Sequence, residues 1–100
     1  MPNEKRKDHV TQRIEQVLKN ALPQGKVEAY RPEGYQYVIR VRVIDDGFRG
    51  MSRLDRYDLV ERHLAELSEA DRQDITMLVL LAPEETEHSL ANLEFDDPAL

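Results

Sequence analysis

The chain has 100 residues, of which 40% are hydrophobic, with a formal net charge of −6 at pH 7 and no cysteine. This length fits one domain with a single modest core. The lack of cysteine excludes disulfides, thiolate metal sites and thiol nucleophiles. The first residues lack the apolar core of a signal peptide, and the longest apolar run, 77–82, is too short to cross a membrane. We therefore expect a soluble, cytoplasmic protein.

The acidic excess lies at one end of the chain. Residues 83–100 contain six acids and no lysine or arginine, whereas the rest contains 14 acids and 14 bases. A neutral body argues against tight non-specific binding to nucleic acid, which depends on neutralising phosphates. We expect a frayed charged segment over 1–8, a folded domain over 9–85 and an acidic tail over 86–100. The tail either is solvated or folds back over arginines of the domain.

A helix and a hairpin are predicted first along the chain. Asp8 caps an amphipathic helix that ends before Pro23. Strands over 26–31 and 35–44 flank a turn that contains Pro32 and Gly34. Alternation in the second strand predicts one covered face and one largely wet face. The covered face would carry Tyr35, Tyr37, Ile39, Val41 and Val43, and the wet face Gln36, Arg40 and Arg42.

A second helix and a third strand complete the prediction. Ser52, with Asp55 three residues later, resembles a capping box before a helix that carries apolar residues at helical spacing. The apolar run over 75–82 predicts a strand that stops at Pro83, and a right-handed crossover makes it parallel to the preceding strand. The sequence thus predicts an α+β domain of order α-β-β-α-β, with a three-stranded mixed sheet and the helices packed on one face.

Residue types that perform catalysis or bind metals are sparse. His9, His63 and His88 show no zinc-like spacing, and no nucleophile-elbow motif is present. Asp45 and Asp46 precede a glycine, which is typical of a turn. We therefore predict neither an enzyme nor a metal site.

The segment that joins the second strand to the second helix is the most informative one. It contains the G-x-x-G pattern of Gly47 to Gly50 within a set of arginines, and such loops clamp nucleic-acid backbones in KH domains. A tight turn with Phe48 anchored in the core explains the same pattern. A nucleic-acid surface here would consist of Gly47, Arg49, Gly50 and Arg53, with Arg40 and Arg42.

The same segment resembles the BolA family, which has a phenylalanine-x-glycine turn followed by an arginine that opens the main helix. Phe48, Gly50 and Arg56 match that pattern, and the strand ending in Ala82-Pro83-Glu84-Glu85 is similar to the family's last strand. The likeness spans about residues 10–87. It implies a class II KH-like fold and pairing with monothiol glutaredoxins, often around a shared iron–sulfur cluster. Some members of that family are DNA-binding regulators of stress responses.

The resemblance implies a small interaction or regulatory protein, and we favour this hypothesis over the nucleic-acid alternative. Tyr57 occupies the position of the family's cluster-ligand histidine, and a phenol is a poor ligand for such a cluster. The resemblance therefore predicts docking of a glutaredoxin-type partner without cluster ligation, by a monomer or weak dimer. The partner-binding residues would be Phe48, Arg49, Gly50, Arg53, Arg56 and Tyr57.

Overall fold

The computed structural model describes residues 5–96. In chain order its elements are β1 (Lys5–Arg6), α1 (His9–Ala21), β2 (Lys26–Pro32), β3 (Ile39–Ile44), α2 (Arg53–Leu64), α3 (Glu69–Arg72), β4 (Ile75–Leu81) and α4 (Leu90–Asp96). Two short 3-10 helices, Asp46–Phe48 and Pro83–His88, follow β3 and β4. None of the helices in this range is long and apolar enough to cross a membrane.

The four strands form one mixed sheet in the order β1-β2-β3-β4. Neighbours pair antiparallel except β3 and β4, which run parallel, with Val41 opposite Leu78 and Ile44 opposite Leu81. The predicted parallel crossover through the second helix is thus confirmed. The sheet has four strands instead of the expected three, because β1 adds to the outer edge of β2.

The main hydrophobic core lies between this sheet and the helices α1 and α2. Alternate residues of β3 point into it, and apolar residues of both helices meet them at spacings of four. The α+β class and the packing of the two main helices on one face follow from this arrangement. The buried members are Ile14, Leu18, Ala29, Ile39, Val41, Val43, Phe48, Val60, Leu64, Leu80 and Ala82.

The opposite face of the sheet is covered by α4, so the expectation of a largely wet face is wrong; α4 is an additional helix beside the two that pack on the first face as predicted. Phe95 of α4 is fully buried and forms a second small cluster with Tyr30 and Val79. The arginines of β3 that the alternation placed in solvent, Arg40 and Arg42, bind α4 instead. Residues 86–96 of the expected tail are therefore folded against the sheet, and 97–100 lie outside the described residues.

The N-terminal segment is also ordered from Lys5 onward. Lys5 and Arg6 pair with Pro32 and Arg31 of β2. Asp8 then caps α1 as predicted, because its carboxylate accepts the Thr11 amide at 3.0 Å. The expected frayed segment is thus not frayed over 5–8, and residues 1–4 lie outside the described range.

The hairpin turn is longer than the sequence pattern indicated. Tyr35 donates its amide to the carbonyl of Pro32, and Val38 donates to the carbonyl of Tyr35, so two successive turns use the residues before Ile39. Tyr35 and Tyr37 are exposed and do not share the core face of β3. The strand was predicted to begin at residue 35 because these tyrosines alternate with Ile39. In the structure it begins at Ile39.

Candidate functional site

The segment between β3 and α2 is a tight turn anchored by a buried ring. Asp45 accepts the Gly47 amide at 2.7 Å and starts the 3-10 helix, and Phe48 is 1% exposed within the main core. Gly50 has φ +81°, a value that favours glycine. Phe48 therefore positions the segment from beneath and cannot contact a partner directly.

Arg56 is the central polar residue beneath this turn. Its guanidinium is largely buried and donates to the carbonyls of Met51 and Leu80 at 3.1 and 3.0 Å. It also forms a bidentate pair with Glu85, at 2.6 and 2.9 Å, and the guanidinium lowers the pKa of that carboxyl. Arg56 thus ties the start of α2 to the end of β4, and its charge is already matched.

Glu85 also fixes the chain where β4 ends. Its carboxylate accepts the Ala82 amide at 2.8 Å while it binds Arg56. One residue earlier, Glu84 pairs with Arg49, which in turn contacts Asp46 at 3.1 Å. This exposed guanidinium lowers the pKa of Glu84 from its ordinary 4.5 to about 2. Glu84 and Glu85 therefore pair with Arg49 of the segment between β3 and α2 and with Arg56 of α2.

Tyr57 is half-buried on the sheet side of α2. Its hydroxyl donates to the carbonyl of Leu78, at 3.2 Å, on the outer edge of β4. Arg56 reaches the Leu80 carbonyl on the same edge, so two side chains of α2 cap backbone groups that β4 leaves without a neighbouring strand. Tyr57, which stands where the resembled family has its ligand histidine, therefore satisfies a backbone carbonyl at the edge of the sheet.

The residues present do not fit an iron–sulfur cluster. The phenol of Tyr57 is engaged with a carbonyl, and the nearest described histidine on the same helix, His63, faces Glu66 at 3.7 Å. Among residues 5–96, no three histidine, aspartate or glutamate side chains converge closely enough to hold a metal ion.

A wide groove lies beside this turn, between the start of α2 and the segment that follows β4. Its volume is about 780 Å³, and Arg53 stands in it without a hydrogen-bond or ion-pair partner in the described part of the chain. Leu54, next to Arg53, is 70% exposed, and Leu90 in the groove wall is 79% exposed. The lining consists of Arg53, Arg56, Leu80, Leu81, Glu84, Glu85, His88, Ser89, Leu90 and Ala91.

The predicted site residues divide between two surfaces. Arg49, Arg53, Arg56 and Gly50 lie around the groove and the turn, whereas Arg40 and Arg42 of the nucleic-acid alternative lie under α4 on the second face of the sheet. Sequence reasoning missed the contributions of His88 and Leu90 to the groove. Both lie in the acidic segment after β4, where no periodicity predicts which side chains line a groove.

Comparison with known proteins supports the architecture. No protein-family model and no curated protein matches the chain. Several solved structures match, among them the following two with probability 1.00. One is the NMR structure of a BolA-like hypothetical protein from Rickettsia prowazekii, with TM-score 0.56, 22% identity and coverage of 72% of this chain and 94% of that one. The other is the crystal structure of a bol-like protein from Babesia bovis, with TM-score 0.53, 21% identity and coverage of 77% and 88%.

At this level of identity the likeness concerns the fold. It agrees with the class that the resemblance of the Phe48–Arg56 segment predicts. The chain has the fold of BolA-like proteins.

Proposed function

We propose that this chain is a non-enzymatic BolA-type module that docks a protein partner in the groove between α2 and the segment after β4. The observation that carries the proposal is the combination of an exposed leucine, Leu90, with a cation that has no described partner, Arg53, in one groove. Interfaces typically combine an apolar centre with a polar rim, and arginine is enriched in them.

The groove has a pre-formed wall. Arg56 and Glu85 hold each other bidentately beneath it, and Glu85 also binds the backbone at Ala82. A wall fixed in this way loses little conformational freedom when a partner binds. A partner surface that presents an apolar side chain to Leu90 and a carboxylate to Arg53 would match the groove.

The partner we propose is a protein of the monothiol glutaredoxin type, because the family that the Phe48–Arg56 segment resembles pairs with such proteins. A regulatory role through this contact belongs to the same proposal. The proposal does not include cluster ligation by this chain, because the Tyr57 hydroxyl donates a hydrogen bond to the Leu78 carbonyl.

The experiment mixes the purified full chain with a monothiol glutaredoxin under cluster-reconstituting conditions and records mass, binding and the visible spectrum together. We expect a complex to which this chain contributes no cluster ligand. The double variant Arg53→Glu and Leu90→Glu should bind at least about tenfold more weakly, because it loses an interface cation and an apolar contact. Tyr37→Glu is the matched control, because Tyr37 is 73% exposed at the opposite end of β3.

No complex with the unmodified chain would overturn the proposed partner. In that case short single-stranded nucleic acids become the next ligands to test. Binding that weakens steeply with salt and is abolished by Arg49→Glu with Arg53→Glu would favour the nucleic-acid alternative.

A second variant tests the role of Tyr57. Tyr57→His restores an imidazole at the family's ligand position and removes the hydroxyl that caps Leu78. We expect a folded protein whose mixture with the glutaredoxin gains visible cluster absorption relative to the unmodified chain. A folded variant without any gain would show that the imidazole alone is insufficient in this fold.

A further inference from the structure

The second face of the sheet contains a socket for one aromatic ring. Phe95 of α4 enters it and is fully buried, with its ring edge-on to Tyr30 at 5.0 Å between centroids. The guanidinium of Arg42 lies 4.4 Å from the centre of the Phe95 ring, and the ammonium of Lys5 lies 5.3 Å from it. Three strands thus supply an aromatic wall and two cations over the ring faces, an arrangement that attracts an aromatic guest.

The socket also recognises the carboxylate that follows the ring. Asp96 accepts a hydrogen bond from Arg42 and another from Lys5, each at 2.8 Å. Tyr30 donates its hydroxyl to the carbonyl of Phe95. Side chains of the strands therefore contact the ring, the carboxylate and the backbone carbonyl of an aromatic residue that is directly followed by an acid.

The cations of the socket stay in place without the guest. Glu28 of β2 binds Lys5 at 3.1 Å and Arg42 at 2.8 Å from the sheet side. These contacts do not involve α4, so the socket keeps its shape when the carboxylate of Asp96 leaves. A pre-organised site of this kind binds a second guest at a lower entropic cost.

The guest that fills the socket is attached weakly to the rest of the molecule. Phe95 is the single buried residue of α4, and the helix has seven residues, too few to be stable alone. Leu90 and Leu93 of the same helix are 79% and 64% exposed. A short helix with one buried ring, whose other contacts to the strands are polar and partly exposed, opens more readily than the sheet beneath it.

We propose that this socket is a docking surface for a partner-protein segment in which an aromatic residue is directly followed by aspartate or glutamate. The pair Phe95-Asp96 occupies the socket in cis, and the partner segment displaces it. This surface lies on the face of the sheet opposite α1 and α2, and its strand residues do not line the groove; Leu90 and Ala91 of the groove belong to α4, so a guest that displaces α4 also moves that wall of the groove. Its occupant is defined by the chemistry of the guest already present: an aromatic ring, an adjacent carboxylate and a backbone carbonyl.

Emptying the socket should leave the fold intact. The main core contains eleven buried residues and none from α4, whereas Phe95 belongs to the separate cluster with Tyr30 and Val79. The full-length Phe95→Ala variant is therefore expected to remain folded with the socket open. Circular dichroism and a urea transition would verify this before binding is measured.

The probe is a labelled peptide of residues 89–96, SLANLEFD, acetylated and amidated. We expect it to bind Phe95→Ala and to bind the unmodified chain at least about tenfold more weakly, because the tethered segment competes at a high effective concentration. The control variant Leu93→Ala keeps the ring in place and should bind as weakly as the unmodified chain. Peptides with Phe95→Ala or Asp96→Asn should lose most of the affinity, as should the protein variant Phe95→Ala with Arg42→Gln.

Three results would overturn the proposal. The first is a folded Phe95→Ala variant that does not bind the peptide. The second is binding that survives both Asp96→Asn in the peptide and Arg42→Gln in the protein, which would indicate non-specific adhesion. The third is a concentration-dependent dimer of the unmodified chain that Phe95→Ala abolishes, because a second copy would then be the occupant.

Discussion

Single residues explain why the turn between β3 and α2 keeps its shape. Arg56 connects the carbonyl of Met51, just before α2, with the Leu80 carbonyl and the carboxylate of Glu85, which lie 24 and 29 positions further along the chain. Arginine suits this position because its planar group offers several donors in fixed directions. Lysine could not make all of these bonds, so the position depends on the guanidinium and not on the charge alone.

Replacement of Arg56 with alanine should be costly. It leaves two backbone carbonyls and Glu85 without their donor, and we expect a loss of about 2–3 kcal/mol in the free energy of unfolding. Urea unfolding followed by circular dichroism measures this loss. Arg53→Ala is the matched control, because that exposed side chain has no described partner and should change stability by less than about 0.5 kcal/mol. Equal effects of the two variants would contradict the structural role of Arg56.

Gly50 offers a test of backbone strain without a steric clash. Its φ is +81°, and an added Cβ would meet nothing within 4 Å. Gly50→Ala should therefore cost about 1 kcal/mol of stability from conformation alone. Gly34→Ala is the comparison, since Gly34 has φ +86° and equally open surroundings. The two losses should agree in urea unfolding, and a much larger loss at Gly50 would indicate a contact that the geometry does not contain.

At the level of elements, sequence reasoning succeeded where a local rule acts. The caps at Asp8 and Ser52 bind amides three residues away, the apolar run of β4 is one continuous stretch of chain, and all three are present in the structure. The turn before β3 was mispredicted because the alternation of Tyr35 and Tyr37 imitates a strand. Two exposed tyrosines in a turn carry the same pattern as two buried ones.

The cover on the second sheet face could not be predicted in this way. It depends on one ring, Phe95, among acidic residues, and on contacts between Arg42 and residues 50 or more positions away. Such pairs have no periodicity in sequence. The groove is equally non-local, because its lining comes from α2, from β4 and from the segment after β4. Of the residues that line the groove, the sequence analysis named only Arg53 and Arg56 as partner-binding candidates.

The cap of α1 provides a test at this scale. Asp8→Ala removes the acceptor for the Thr11 amide and the ion pair with Arg31, so α1 should fray and the protein should lose about 1–2 kcal/mol. Asp8→Asn keeps an acceptor and should lose less. Asp55→Ala, in the first turn of α2, is the control, because its carboxylate makes no described hydrogen bond. Stability from urea unfolding should follow this order, and an unchanged Asp8→Ala variant would contradict the cap.

At the scale of the whole molecule, acidic residues after β4 form ion pairs at two places, near the groove and on the second face of the sheet. Glu84 and Glu85 bind arginines near the groove, and Asp96 binds Lys5 and Arg42 on the second face. Partial burial opposes ionisation of Asp96, but its hydrogen bonds with Arg42 and Lys5 outweigh burial and lower its pKa. The pKa values of Glu84 and Glu85 are lowered as well.

Stability should therefore fall in acid. A carboxyl whose pKa is lower in the folded state contributes stability above its unfolded pKa, and this contribution is lost as pH falls through the folded value. For Glu84 the window runs from about pH 4.5 down to about 2. Urea unfolding at pH 7 and at several values within this window should show a progressive loss. The combined variant Glu84→Gln, Glu85→Gln and Asp96→Asn should show a smaller loss, and an equal loss would assign the effect to other carboxyls.

The ion pair between Lys5 and Asp96 joins the two ends of the described chain, 91 positions apart, at 2.8 Å. An unfolded chain of this length keeps its ends far apart, so a covalent bridge between them would remove much of its conformational freedom. The folded sheet already holds these ends together and would accept such a bridge with little distortion. A covalent link between the side chains at positions 5 and 96 should therefore raise the free energy of unfolding of this protein.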